Sequence, residues 1–122
     1  MAVTSEGNTN FKITQGDTFS QYLQYVYTDE NGVDTPVNIT GYTFTFEAKD
    51  KPAGSILCAT CTLNDGIEIV SPNEGLILLE VSPDKTRKFN LPQTAYQIQA
   101  HNGSQNETWI QGWFKVNPGV ID

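Results

Sequence analysis

Apolar and polar residues alternate along both arms of a C-terminal segment, residues 94–116, which a run of turn-forming residues divides at 101–106. This pattern predicts a β-hairpin, because side chains on a strand point to its two faces in turn. Six consecutive turn formers between the arms indicate a loop longer than two residues. The rest of the predicted fold is organised around this hairpin.

If Ala100 lies opposite Thr108, Tyr96 covers Gly112, which pairs a large ring with a position that has no side chain. One face of the hairpin is then apolar and is predicted to be core: Tyr96, Ile98, Ala100, Ile110, Gly112, Phe114 and Val116. The opposite face is polar apart from two tryptophans, and carries Gln97, Gln99, Trp109, Gln111 and Trp113.

The two tryptophans would lie about 13 Å apart on one face, since they are four positions apart on a strand. Apolar anchors surrounded by Gln97, Gln99 and Gln111 are typical of a protein interface, and we predict one here. A stacking platform for sugar rings, formed by Trp109, Trp113 and Tyr96, is an alternative. Burial of this face under a second sheet explains the tryptophans equally well, because Trp is often buried in proteins.

The remaining chain contains further short strands separated by regular turn signals. Residues 18–28 are predicted to form one long aromatic-rich strand with imperfect alternation, as expected if both faces are covered or a bulge intervenes. Residues 42–49 show the clearest alternation. Within residues 76–81, the inward positions are predicted to be Ile77, Leu79 and Val81. About eight short strands predict an all-β chain, a single immunoglobulin-like β-sandwich of antiparallel strands over residues 1–122, with a small barrel as the alternative. Residues 1–8 are expected to be a flexible or partner-ordered arm, and residues 117–122 a C-terminal tail.

Composition narrows the classes of partner. The formal net charge is −7, and only Lys85, Arg87 and Lys88 cluster, so binding to a nucleic-acid backbone is not expected. The N-terminal residues lack the basic and apolar regions of a signal peptide, and no apolar run is long enough to span a membrane. We therefore expect a protein made in a cytoplasm, without a membrane partner.

Few residues offer catalytic or metal-binding chemistry. Cys58 and Cys61 form C-x-x-C within a predicted strand, where their side chains should point to opposite faces, so both are interpreted as ordinary strand residues. The single histidine, His101, is predicted to be exposed in the hairpin loop. Residues 29–34 resemble a calcium loop, but their glycine comes too early and no closing glutamate follows. The sequence predicts no enzyme activity, no metal and no cofactor.

A series of short motifs carries a resemblance. It runs through Gly16-Asp17-Thr18-Phe19, Asp29-Glu30-Asn31-Gly32, residues 36–44, Glu74-Gly75-Leu76-Ile77, residues 82–86, Ala95-Tyr96-Gln97-Ile98 and residues 112–116. Over residues 11–120 this series resembles the small immunoglobulin-like β-sandwich domains of tailed-bacteriophage virions. Such domains occur as the N-terminal domains of baseplate proteins and as stand-alone collar proteins to which side tail fibres attach. Asn38 replaces an acidic residue that usually precedes the Thr-Gly pair.

The resemblance implies a virion structural protein with no shared catalytic residues. It would act as a tail, collar or baseplate adaptor that forms a homo-oligomer and docks other virion proteins, after synthesis in the bacterial host cytoplasm. Decoration of the capsid head is the close alternative. A carbohydrate-binding module that uses Trp109 and Trp113 is the alternative from another functional class.

Overall fold

The computed structural model describes residues 3–4, 7–8, 10–51, 54 and 56–119. Nearly all regular structure in these residues is β, which confirms the all-β prediction. The strands are β1 (Val3–Thr4), β2 (Gly7–Asn8), β3 (Phe11–Thr14), β4 (Phe19–Gln24), β5 (Val26–Thr28), β6 (Asp34–Pro36), β7 (Thr43–Lys49), β8 (Leu57–Leu63), β9 (Gly66–Ser71), β10 (Leu76–Val81), β11 (Gln93–Asn102) and β12 (Gln105–Asn117). A 3-10 turn, Pro72–Glu74, and one helical turn, α1 (Pro83–Thr86), complete the described elements.

The strands form a sandwich of two layers. The main sheet runs in the order β1-β4-β10-β9-β8-β7-β11-β12-β2, and β3 also pairs with β12. β8 and β9 pair only at Thr62–Gly66 and Leu63–Ile67, where the sheet passes from one layer to the other. The layers meet through aromatic rings: the centroid of Phe19 on β4 lies 5.1 Å from that of Phe114 on β12, edge to face.

The eight longer strands match the predicted number, whereas β1, β2, β5 and β6 have only two or three residues each. Most pairings are antiparallel. The parallel ones are the short pairing of β8 with β9 and those of the N-terminal strands, β1 with β4 and both β2 and β3 with β12. Within residues 1–8, for which the sequence predicts an arm, the two described pairs of residues therefore lie at sheet edges. The other residues of this arm lie outside the described part, as do residues 120–122 of the predicted tail.

The predicted core positions are buried. Ile77, Leu79 and Val81 have no exposed surface, and the apolar face of the hairpin is buried except for half-exposed Gly112. Their contacts join one apolar cluster that fills the space between the layers, as close packing of a sandwich requires.

The prediction of one long strand over residues 18–28 is wrong. The chain leaves the main sheet at Tyr25, whose N–H donates to the carbonyl of Gly75 at 2.8 Å and whose carbonyl accepts from the N–H of Val37 at 2.9 Å. Beyond this point β5 pairs with β6 in a separate two-stranded sheet. The imperfect alternation of the segment has this cause, since Leu23, Tyr25 and Val26 are all buried.

The helical turn α1 begins after Ser82 with Pro83 in its first position, where the fixed φ of proline suits a helix. The Ser82 side chain makes no capping bond; instead its carbonyl accepts from the N–H groups of Lys85 and Thr86. The hairpin loop is shorter than predicted, because β11 and β12 continue to the pair Asn102–Gln105 and leave only two turn residues. Gly103 stands first in this turn with a φ of +62°, a conformation that a two-residue hairpin turn accepts best from glycine.

Candidate functional site

The register of the hairpin determines which side chains form its outer face. Tyr96 lies opposite Gly112, as predicted, and Ile98 lies opposite Ile110. Between Ile98 and Gln99 a β-bulge shifts the register, so that Gln99, rather than Ala100, faces Thr108. Such a bulge places one extra residue on one strand and locally breaks the alternation of faces.

The extra residue is Trp109, and the bulge turns it into the core beside Ile110. Its side chain is only 1% exposed. The indole stacks on Tyr25 with ring centroids 4.9 Å apart, and lies 5.9 Å from Phe44. The prediction that Trp109 and Trp113 share the outer face is therefore wrong. A two-tryptophan platform for sugars or for a protein partner does not exist in this fold.

Trp113 remains on the outer face and is half-buried. Its Cα lies opposite that of Ala95 on β11, which in turn lies opposite Lys49 on β7. The backbone N–H of Trp113 donates to Asn10 Oδ1 at 3.0 Å, between the segments of β12 that pair with β2 and with β3. At this point neither β2 nor β3 pairs with β12, and the Asn10 side chain supplies the hydrogen-bond acceptor for the backbone N–H of Trp113.

Lys49, Ala95 and Trp113 thus form a row across β7, β11 and β12, and a second row lies beside it. Glu47 on β7, Gln97 on β11 and Gln111 on β12 occupy neighbouring positions across the same three strands. The two rows line a groove of about 590 Å³ on the outer face of the sheet. Its lining is Asn10, Glu47, Lys49, Lys51, Ala95, Tyr96, Gln97, Gln111, Gly112 and Trp113. Ala95 forms the floor of the groove. Its methyl group is small, so the floor lies below the larger side chains of Lys49 and Trp113 on either side.

The groove brings together three of the five residues that the sequence predicts as an interface, namely Gln97, Gln111 and Trp113. Gln99 lies on the same strand but does not line it, and Trp109 is in the core. The role of the outer face as a protein interface stays a prediction. The charged lining was missed, although Glu47 and Lys49 alternate with buried Phe46 and Ala48 and so had to point outward.

Two ammonium groups in the groove make no ion pair within the described residues. The ion pairs found there join Lys85 to Asp65, with Nζ and Oδ1 3.6 Å apart, and Arg87 to Asp84. Lys49 and Lys51 take part in neither. The groove therefore holds two positive side chains and one negative, in a chain whose net charge is −7.

The cysteines form neither a disulfide nor a reactive pair. Cys58 and Cys61 are free thiols, both buried in the apolar cluster, although alternation along β8 was expected to separate them. A bulge pairs Ala59 with Ala48 and Leu57 with Lys49, leaving Cys58 without a partner on β7. Burial raises the pKa of both thiols, and the ammonium group of Lys85, 3.6 Å from Cys61 Sγ, only partly opposes this effect. Both are therefore poor nucleophiles at neutral pH.

His101 lies at the end of β11, not in a loop as the sequence predicts. Its Nε2 is 3.0 Å from the hydroxyl of Thr45, and its Nδ1 is 2.6 Å from Oδ1 of Asn106. These neutral partners tie the hairpin to β7 and give the imidazole a structural role. In the part of the chain that the structure describes, no group of three or more His, Cys, Asp and Glu side chains is arranged to hold a metal ion.

Several large apolar side chains that do not line the groove are exposed. The β5–β6 hairpin presents Tyr27 on β5, 61% exposed, and Val33 in its turn, 56% exposed. Ile56, Leu57 and Leu91 are also exposed. Among the described residues, no helix has the length and apolar character needed to cross a membrane.

No protein-family model matches the sequence, and no curated protein matches it significantly. Among solved structures, the fold is similar to the N-terminal domain of ORF48 of phage TP901-1, with a TM-score of 0.55 and 11% identity over 94% of this chain and 99% of that one. The N-terminal Ig1-2 module of the Drosophila receptor protein tyrosine phosphatase DLAR is more distant, with a TM-score of 0.43, 11% identity, and 92% and 46% coverage. At these identities the likeness to the phage domain is one of fold.

Proposed function

We propose that this chain is a bacteriophage virion structural protein, an adaptor of the tail, collar or baseplate that forms a homo-oligomer and docks other virion proteins. The observation that carries the proposal is the fold shared with the N-terminal domain of a phage protein over 94% of this chain and 99% of that one. The turn and strand motifs of residues 11–120 independently resemble phage virion domains.

The hairpin of β5 and β6 is the docking element that the exposed surface favours. It forms a sheet of its own outside the main sheet, and Tyr27 on it is the second most exposed large hydrophobic side chain described. Tyrosine is enriched at protein interfaces because it offers a large rigid contact and a polar end. The alternative face at Trp113 retains one tryptophan among charged and amide side chains, a composition that interface centres generally lack.

The turn of this hairpin is held rigid before any partner binds. Asp29 Oδ1 accepts from the N–H groups of Asn31 and Val33, both at 2.9 Å, and the Asp29 carbonyl accepts from the N–H of Gly32 at 3.0 Å. The hydroxyl of Thr28 bonds to Asp34 Oδ1 at 2.6 Å. A preordered turn loses little conformational entropy on docking, which favours affinity.

The proposal is tested on phage particles assembled in infected cells. Mass spectrometry of gradient-purified particles should find the chain, and light scattering of the purified protein should give a mass above that of a monomer. Separated heads and tails then distinguish a tail adaptor from head decoration, which would replace the tail assignment. A monomeric chain that is absent from particles would refute the virion role.

Variants identify the docking surface. Tyr27→Ser should fold normally and lose particle association, whereas Tyr22→Ser, a matched change on the outer face of β4, should retain it. Trp113→Ala is measured in parallel. If this variant loses association while Tyr27→Ser keeps it, the outer face of β11 and β12 is the interface and the hairpin assignment is wrong.

A further inference from the structure

The groove at Trp113 has dimensions set by the sheet. Lys49 and Trp113 lie on strands on either side of β11, so their Cα atoms are separated by two strand spacings, about 10 Å. Ala95 stands between them and leaves this width open above a small floor. The row of Glu47, Gln97 and Gln111 continues the groove along the strands by about 7 Å. A volume of about 590 Å³ accommodates a short oligosaccharide.

The lining offers the groups that recognise a sugar ring. The side chain of Trp113 lines the groove, is only half-buried and makes no ring contact with the aromatic side chains described. An aromatic face is electron-rich and attracts the C–H groups on one side of a pyranose. The amides of Gln97, Gln111 and Asn10 both donate and accept hydrogen bonds, and the Glu47 carboxylate accepts them, which matches hydroxyl groups.

Charge restricts the class of sugar further. Lys49 and Lys51 project from one end of β7 and from the turn that follows it, and neither makes an ion pair with a described residue. In a chain of net charge −7, this groove therefore has a local positive excess. Unpaired ammonium groups beside an aromatic wall select a ligand that carries both an apolar ring face and an acidic group.

We propose that this groove binds an anionic saccharide, a sugar bearing a carboxylate or a phosphate. The ring stacks on Trp113, the hydroxyl groups bond to Gln97, Gln111 and Glu47, and the acidic group lies between Lys49 and Lys51. This binding activity is independent of the virion role, because it uses the outer face of β7, β11 and β12 and not the β5–β6 hairpin.

Calorimetric titration of the whole chain tests the proposal with three probes of similar length. A galacturonate oligomer carries carboxylates, an oligomannoside ending in mannose 6-phosphate carries a phosphate, and maltotetraose is neutral. One or both acidic probes should bind, with an affinity that falls as sodium chloride is raised, and maltotetraose should bind at least about tenfold more weakly. The stronger of the two acidic probes identifies the acidic group.

Matched variants test whether the saccharide binds in this groove, with its acidic group at the lysines and its ring on Trp113. Lys49→Gln should weaken binding of the acidic probe about tenfold and reduce its salt dependence, whereas Lys88→Gln, which removes an exposed charge outside the groove, should leave both unchanged. Trp113→Ala should abolish binding, and Ala95→Leu should do so by filling the floor. Circular dichroism establishes that each variant is folded.

Three results would overturn the proposal. Wild-type protein that binds neither acidic probe at millimolar concentration excludes the activity. Equal affinity for maltotetraose and the acidic probes removes the role of the lysines. An equal loss in Lys88→Gln and Lys49→Gln reduces the binding to nonspecific attraction between charges.

Discussion

Replacement of Trp109 by alanine separates the core role of this side chain from the interface role that the alternating pattern predicts. A buried tryptophan removes about 150–250 Å² from water, which at about 25 cal/mol per Å² corresponds to about 4–6 kcal/mol. Alanine retains part of this burial, while the ring contacts with Tyr25 and Phe44 are lost. We expect Trp109→Ala to lower the free energy of unfolding by about 4 kcal/mol.

A loss of this size is a large part of the stability of an ordinary domain, about 5–15 kcal/mol, and should lower Tm by roughly 10–20 °C. Urea unfolding followed by far-ultraviolet circular dichroism measures it without using tryptophan as the probe. The matched control is Trp113→Ala, which should cost less than about 1.5 kcal/mol because this side chain is half-buried.

A free energy of unfolding of Trp109→Ala within about 1 kcal/mol of the wild-type value would contradict the core role of Trp109. A larger loss of stability in Trp113→Ala than in Trp109→Ala would contradict it as well. Either result would mean that the bulge between Ile98 and Gln99 does not turn Trp109 inward in solution. Trp109→Phe provides a graded check, since it keeps a ring against Tyr25 and should recover more than half of the loss.

Three further predictions concern the core and its turns. Phe114→Asp should abolish cooperative unfolding, because an unpaired carboxylate would replace a fully buried ring; a folded variant would contradict the assignment of this position to the core. Gly75→Ala should lower the free energy of unfolding, measured by chemical denaturation, by about 2–3 kcal/mol, because φ at this position is +66° and a Cβ would lie 2.5 Å from a carbonyl oxygen. The control Gly32→Ala should lower it by only about 1 kcal/mol, because φ is +79° there but no atom lies within 4 Å of the added Cβ. Cys58 and Cys61 should react with Ellman's reagent only as fast as the fold opens to expose them. Burial raises the pKa of both thiols above 9.0. Their contribution to the free energy of unfolding should therefore be present below about pH 9 and be lost as the pH rises through the folded-state pKa. Fast reaction at neutral pH would contradict their burial.

Local alternation predicted much of the hairpin correctly because one buried face strongly restricts the register of a strand. Tyr96 opposite Gly112 and Ile98 opposite Ile110 follow from that pattern alone. The bulge beyond Ile98 does not, although two consecutive apolar residues, Trp109 and Ile110, within an alternating arm were a signal of it. That single shift moved one tryptophan from the predicted interface into the core.

Long-range pairing accounts for what the sequence could not show. The outward direction of Glu47 and Lys49 is readable from their neighbours, but their position beside Gln97 depends on β7 pairing with β11, about fifty residues away along the chain. The break at Tyr25 likewise depends on backbone bonds to Gly75 and Val37. Periodicity describes one strand at a time, whereas a groove is made by three.

The pairing of β3 with β12 has a consequence for the order of folding. Phe11 lies opposite Phe114, and the Asn10 side chain bonds to a backbone group 103 positions further on. During translation, this edge of the sandwich cannot close until β12 has left the ribosome. Ladders of such high contact order form in roughly milliseconds to seconds, and until then the edge of β12 stands open to other nascent chains.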